Sequence, residues 1–188
     1  MTASVGGLIV ASLAIKQWME ANKHREEALR WMQEQQSRKV LDDLFLGEGH
    51  NGYFALIMAD LRAGADECRF EDDWIRSKVQ VHTINHQQVM AALQATPPPD
   101  DRAAFIQGCF DDLFYYLERI DLYLEKNFVR FEDVRSPLVY YAEQVALNTK
   151  VYRAYIRKIR ADGAGRLLDR FDADRVRERG GLPDAPPG

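Results

Sequence analysis

The first fifteen residues, Met1 to Ile15, carry no charged side chain, and the next thirty are dense in charge. A rhythm runs through both halves. Gly7, Ala11, Ala14, Trp18, Ala21, Arg25, Ala28 and Met32 alternate steps of four and three. That is a heptad pattern, and it demands a helix with one face set aside for packing. The spacing predicts a single long helix from about residue 3 to 46. It is a narrow seam, because most of its members are small and Arg25 interrupts it. Within the apolar part, Ala3, Gly7, Ala11 and Ala14 share one side of the helix, while Leu8, Ile9, Leu13 and Ile15 point elsewhere. Small residues let helix backbones approach closely, which is how helices associate in lipid.

The apolar stretch is short for a membrane span. Fifteen helical residues reach about 22 Å, against a hydrocarbon layer of about 30 Å that takes about 20 apolar residues to cross. Lys16 could snorkel, and Trp18 and Met19 could extend the reach into the interface. No basic region precedes the apolar run, so a cleaved secretory signal is disfavoured. If the segment spans, Lys16, Lys23 and Arg25 hold the rest on the cytoplasmic side. The expectation is therefore a helical domain in the cytoplasm hung from a bacterial inner membrane, with a cytoplasmic protein as the alternative.

The remaining chain reads as helical, with no hairpin signal standing out. Residues 47–52 form a glycine turn, and Tyr53 to Ala65 is apolar on most faces. Asp72 to Gln94 reads as a helix with Trp74, Ile75, Val79, Val89, Met90 and Leu93 inward. A proline-rich linker, Ala95 to Asp101, precedes the best-patterned helix, where Ile106, Phe110, Leu113, Leu117, Ile120 and Leu124 form a seam. After a turn at Lys126 to Glu132, a second seam runs through Leu138, Tyr141, Val145, Asn148, Tyr152, Tyr155 and Ile159, with Pro137 in its first turn. Matching seams across a short turn predict an antiparallel pair. The tripeptide Arg-Phe-acid recurs at Arg69, Arg130 and Arg170, each time ahead of a helical run, where acids would meet the helix dipole.

The fold class expected is all-α: a long N-terminal helix (1–46, apolar over 1–15), a four-helix bundle-like body of two helical hairpins (47–162), and a short helix with a flexible tail (163–188).

Composition narrows the function. In 188 residues the net charge is −4, which argues against a dedicated nucleic-acid binder. A local basic bias from Arg130 to Arg160 could touch phosphate or anionic lipid, although such a run is more often a solvated helix face. Cys68 and Cys109 have no short-spaced partner and sit among apolar residues, as reduced thiols do. His82 and His86 lie four apart with no third ligand nearby, so no metal site is expected, and no cofactor. Arg76 and His82, with five residues between them, fit the spacing found in helical ribonuclease domains. There the Arg steadies a phosphate and the His acts on the 2′-hydroxyl proton. No phosphate loop, nucleophile elbow or zinc-protease motif is present.

The run from Phe110 to Ile159 resembles the C-terminal hairpin of a widespread bacterial all-helical family of unknown function. Tyr115–Tyr116 to Ile120 and the turn at Phe128 to Asp133 carry most of the likeness. In that family a hydrophobic N-terminal helix runs into a basic or mixed one, as Gly6 to Lys39 does here. The layout is similar, more distantly, to the membrane accessory proteins of RNA-targeting type VI-B CRISPR systems. Those pair such a helix with a ribonuclease-like helical body and assemble into a pore. The expected function is a non-enzymatic, self-associating membrane effector or adaptor, with pore formation and anti-phage defence as what the more distant resemblance implies and with Ala3, Gly7, Ala11, Ala14 and Trp18, from the seam, at the contact. Two alternatives stand beside it: a ribonuclease-like enzyme using Arg76 and His82, and a soluble helical interaction module.

Overall fold

Asp100 opens the central helix of the molecule. Its side chain accepts a hydrogen bond from the Ala103 amide at 2.7 Å, satisfying one of the donors that a helix start leaves bare. Behind that cap the seam from Ile106 to Leu124 is buried along its whole length, as its spacing predicts. Each large apolar side chain so enclosed contributes roughly 1.5–3 kcal/mol.

The protein is described by a computed structural model over residues 3–46, 68–72, 80–147 and 149–180. These form α1 (Ala3–Leu46), β1 (Cys68–Asp72), β2 (Gln80–Ile84), α2 (His86–Gln94), α3 (Asp101–Glu125), α4 (Phe131–Leu147), α5 (Thr149–Ile159) and α6 (Asp162–Gly180). The fold is all-α with one small sheet. The glycine turn at 47–52, the apolar segment 53–65, Trp74, Ile75, Arg76, Val79, Asn148 and the tail from 181 lie outside the described residues.

The long first helix has the extent its heptads predict. The pairing of the later helices differs from expectation. The principal partner of α3 is α6, not α4. Leu113 and Leu117 of α3 and Leu138 and Val145 of α4 do face a common space, but Leu167, Leu168 and Phe171 of α6 fill it between them. The second seam is divided between α4 and α5. Tyr152 and Tyr155 of α5 pack on Phe110 and Phe114 with ring centres 5.6–6.3 Å apart. Helix α4 begins at Phe131, so Pro137 lies inside it rather than in its first turn. With no N–H, Pro137 cannot bond the Asp133 carbonyl one turn back.

Residues 68–72 and 80–84 pair as antiparallel strands with Phe70 opposite His82, although the sequence from Asp72 to Gln94 reads as helix. Along β2, Val81 and Thr83 are exposed while His82 and Ile84 are buried, the two-residue period of a strand. Five residues are too few for that alternation to stand out beside a helical neighbour. The join to α2 is sharp because Asn85 and Gln88 form a reciprocal capping box. The Arg-Phe-acid echo proves to be three unrelated settings. Arg69 to Asp72 is strand β1, Arg130 to Asp133 enters α4, and Arg170 to Asp172 lies within α6.

Two features hold α6 along α3. Asp121 is wholly buried, and Arg166 donates to its Oδ2 through Nε and Nη2, both at 2.8 Å; Arg170 Nε lies 3.4 Å from Oδ1. Gly163 lets the first turn of α6 cross α3 closely. A Cβ there would stand 2.8 Å from Glu118 Cγ and 3.2 Å from its Cα. Asp121→Asn should cost about 1–3 kcal/mol in urea unfolding, since a buried group then faces two arginines without its charge. Arg175→Ala, which removes only a half-exposed contact to Asp172, should stay within about 0.5 kcal/mol of wild type. Gly163→Ala should lower stability by about 1–3 kcal/mol despite alanine's better helix propensity, because the added methyl overpacks the crossing.

Candidate interaction surface on the first helix

At 1.5 Å per residue, the 44 residues of α1 span about 66 Å. Among the described residues, the contacts between α1 and the body lie in its C-terminal third. Val40 and Leu44 are buried, and the Phe45 ring lies 5.8 Å from that of Tyr141. Ser37 Oγ donates to the Gln33 carbonyl at 2.8 Å and lies 3.5 Å from Asp133 Oδ2. Gln33 Nε2 donates to the Asn127 carbonyl at 2.8 Å. Arg130 joins both sides, bonding Asp133 through Nε at 2.9 Å and reaching Glu34 at 3.7 Å.

From Ile15 to Met32 every residue except Asn22 is exposed. Trp18, Met19, Leu29, Trp31 and Met32 are each half to two-thirds open to solvent. The charged residues of this stretch form a row of their own. Lys16, Glu20, Lys23, Glu27, Arg30 and Glu34 alternate in sign at steps of four and three. Lys23 and Glu27 stand 3.9 Å apart. Such pairs support a helix with few tertiary contacts. They also leave Ala14, Trp18, Ala21, Arg25, Ala28, Leu29 and Met32 on the opposite side.

Where this side approaches the body, a groove of about 500 Å³ opens, lined by Leu29, Met32, Gln33, Gln36, Tyr123, Asn127 and Phe128. Its far wall is made by the end of α3. The Phe128 amide bonds the Tyr123 carbonyl at 2.9 Å and the Asn127 amide bonds that of Leu124 at 3.1 Å, which is a Schellman closure. Asn127 takes the left-handed conformation this requires, with φ of 56°. The closure sets Phe128 beside Tyr123, ring centres 6.2 Å apart, and leaves it over half exposed at the groove's rim.

The sequence candidates fall into two sets. Ala3, Gly7, Ala11, Ala14 and Trp18 all lie on α1, with Trp18 open to solvent. Among the described residues no helix is long and apolar enough to cross a membrane. The charges that begin at Lys16 come too soon. Of the second set, Arg76 lies outside the described residues. His82 is buried on β2 with its ring stacked on Phe105 at 4.7 Å, and His86 is buried in the first turn of α2. The two histidines therefore do not share one helix. Among the described residues no group of three His, Cys, Asp or Glu could hold a metal.

The basic stretch from Arg130 to Arg160 is used largely within the molecule. Arg130 binds Glu34 and Asp133, Arg135 pairs with Asp174, Arg153 reaches Asp169 at 2.8 Å, and Lys158 donates to the Ala95 carbonyl. Tyr155 donates to Asp111 at 2.6 Å. Burial first, and that bond second, push its hydroxyl well above the usual range, so it remains a donor.

The groove's far wall depends on Asn127. Asn127→Ala should destabilise the fold by about 1–2 kcal/mol, while Asn127→Gly should be nearly neutral, both read by thermal unfolding. No family model, no curated protein and no solved structure matches this chain.

Proposed function

We propose that this protein is a non-enzymatic, self-associating helical adaptor or effector, in which the body serves to present α1 as a projecting arm. One observation carries the reading: a helix of about 66 Å leaves Trp18, Leu29, Trp31 and Met32 uncovered on the stretch the body does not hold. An isolated helix is marginal in water unless its apolar face is packed. Exposed Trp18, flanked by alanines, supplies the anchor of that face, and aromatic anchors of this kind dominate binding energies at helix contacts.

A membrane surface is a second reading, favoured by the absence of charge from Met1 to Ile15. In that case the apolar end lies in the interface, since the helix does not have the length of apolar sequence to cross. The distant likeness in layout to type VI-B accessory proteins suggests a setting for either assembly, bacterial defence against phage.

Sedimentation of the full chain should give a discrete oligomer at micromolar concentration. Trp18→Glu should shift it to monomer, with unchanged thermal unfolding of the body because Trp18 is exposed in the single chain. A full chain that sediments as monomer throughout overturns the reading. Flotation of that monomer with vesicles of phosphatidylethanolamine and phosphatidylglycerol would establish the membrane reading in its place.

A further inference from the structure

The seam of α1 alternates in size as well as in spacing. One of its two core positions holds Trp18, Arg25 and Met32, and the other holds Ala14, Ala21 and Ala28. From Ala14 to Met32, large and small never share a position. Such a division makes the two possible directions of a helix pair unequal.

In a parallel pair each layer sets a residue against its own copy. Trp18 would meet Trp18, Arg25 would meet Arg25, and the alanine layers between would be underfilled. Two guanidinium groups facing each other in a half-dry seam repel, and the alternately crowded and empty layers cannot all close at one interhelical distance. In an antiparallel pair each core position of one helix meets the other position of its partner. Large then falls on small in every layer.

We propose that the partner of α1 is the α1 of a second copy, laid antiparallel with the two-fold axis at the level of Lys23. This rests on the self-association reading and names its geometry. Trp18 packs over the partner's Ala28, Met32 over the partner's Ala14, and Arg25 over the partner's Ala21. The Arg25 stem covers that alanine while its head reaches the water at the edge of the seam. The charged row from Lys16 to Glu34 faces away from the pair on both helices, with Lys23 and Glu27 adjacent along it.

The same register brings an occupant to the groove. The partner's residues 10–17 run beside Leu29 to Gln36. Val10, Ala14 and Gln17 share one face of that segment. That segment passes along the opening between Leu29 and Met32 on one side and Tyr123 and Phe128 on the other. Residues 10–17 of each chain thus find cover in the groove of the other copy. Each body sits at the far end of its own helix, so the two bodies stand apart while each forms half of the other's contact. Lipid suits this face less well, because Arg25 lies in its middle.

The test exchanges large for small in the full chain. Ala28→Trp sets two indoles against each other and should weaken the dimer about tenfold or more in sedimentation equilibrium. Trp18→Ala combined with Ala28→Trp restores one large and one small residue to each layer and should return the affinity to within about threefold of wild type. Ala28 is exposed in the single chain, so circular dichroism and thermal unfolding should be unchanged in both variants. A weakened single variant that the double variant fails to rescue overturns the antiparallel register while self-association stands. So does an Ala28→Trp protein that dimerises as well as wild type. A wild-type chain that is monomeric at every concentration overturns self-association and this geometry together. Flotation of that monomer with vesicles of phosphatidylethanolamine and phosphatidylglycerol, lost in Trp18→Glu, would show that lipid covers the seam instead.

Discussion

The carboxylate of Asp121 has no exposed surface, and a charge held away from water must be met by other charges. The two arginines that approach it, Arg166 and Arg170, are four residues apart on α6, one turn of one helix. Their reach to Asp121 fixes both the direction and the register of α6 along α3. With α6 there, Leu167, Leu168 and Phe171 share with Leu113 and Leu117 of α3 the space that Leu138 and Val145 of α4 face, and α4 meets both α6 and α1. The position of α4 in turn decides where Asp133 and Arg130 stand, and those two residues receive α1. A buried pair of this kind is weak evidence for stability, because desolvation offsets most of the attraction. Its contribution is to the arrangement: other pairings of these amphipathic helices leave Asp121 buried and unmet.

Among the described residues, the first helix is bound to the body by polar contacts and a few apolar ones near its C-terminal end. That asymmetry explains why one continuous helix serves two purposes. Its last third completes the core through Val40 and Leu44. The stretch before it is stabilised by its own alternating charges and leaves an apolar side open. The groove below that side exists because α3 ends in a left-handed residue. A straight continuation of the helix would carry Phe128 away, whereas the turn at Asn127 folds it back beside Tyr123. The surface on which the functional reading rests is therefore built by a helix stop on one side and an uncovered helix on the other.

The chemistry-bearing residues picked out by spacing fared differently from the packing residues. His82 and His86 stand four apart in sequence, yet one is in a strand and the other begins a helix. Spacing places side chains together only when the element between them is known, and the Asn85–Gln88 capping box was the local signal that β2 ends there. Likewise the basic bias from Arg130 to Arg160 reads as a patch for an anionic partner. Much of it meets Asp133, Asp169 and Asp174 within the molecule, pairings that join residues up to about forty positions apart.

What the sequence by itself determined was the helices that depend on local periodicity: the full extent of α1, the Asp100 start of α3, and the inward face of α3 from Ile106 to Leu124. Period and capping are properties of neighbouring residues, so they are legible along a chain. The small-and-large division of the α1 seam is legible in the same way. Only the tertiary structure decided that α6 rather than α4 lies on α3, that residues 68–72 and 80–84 pair as strands, and that Leu29 and Met32 face Phe128 across an open groove. Each of these depends on contacts between distant segments, where several amphipathic faces compete for the same partner. Charge burial at Asp121 and close approach at Gly163 settle that competition, and neither leaves a mark in local pattern.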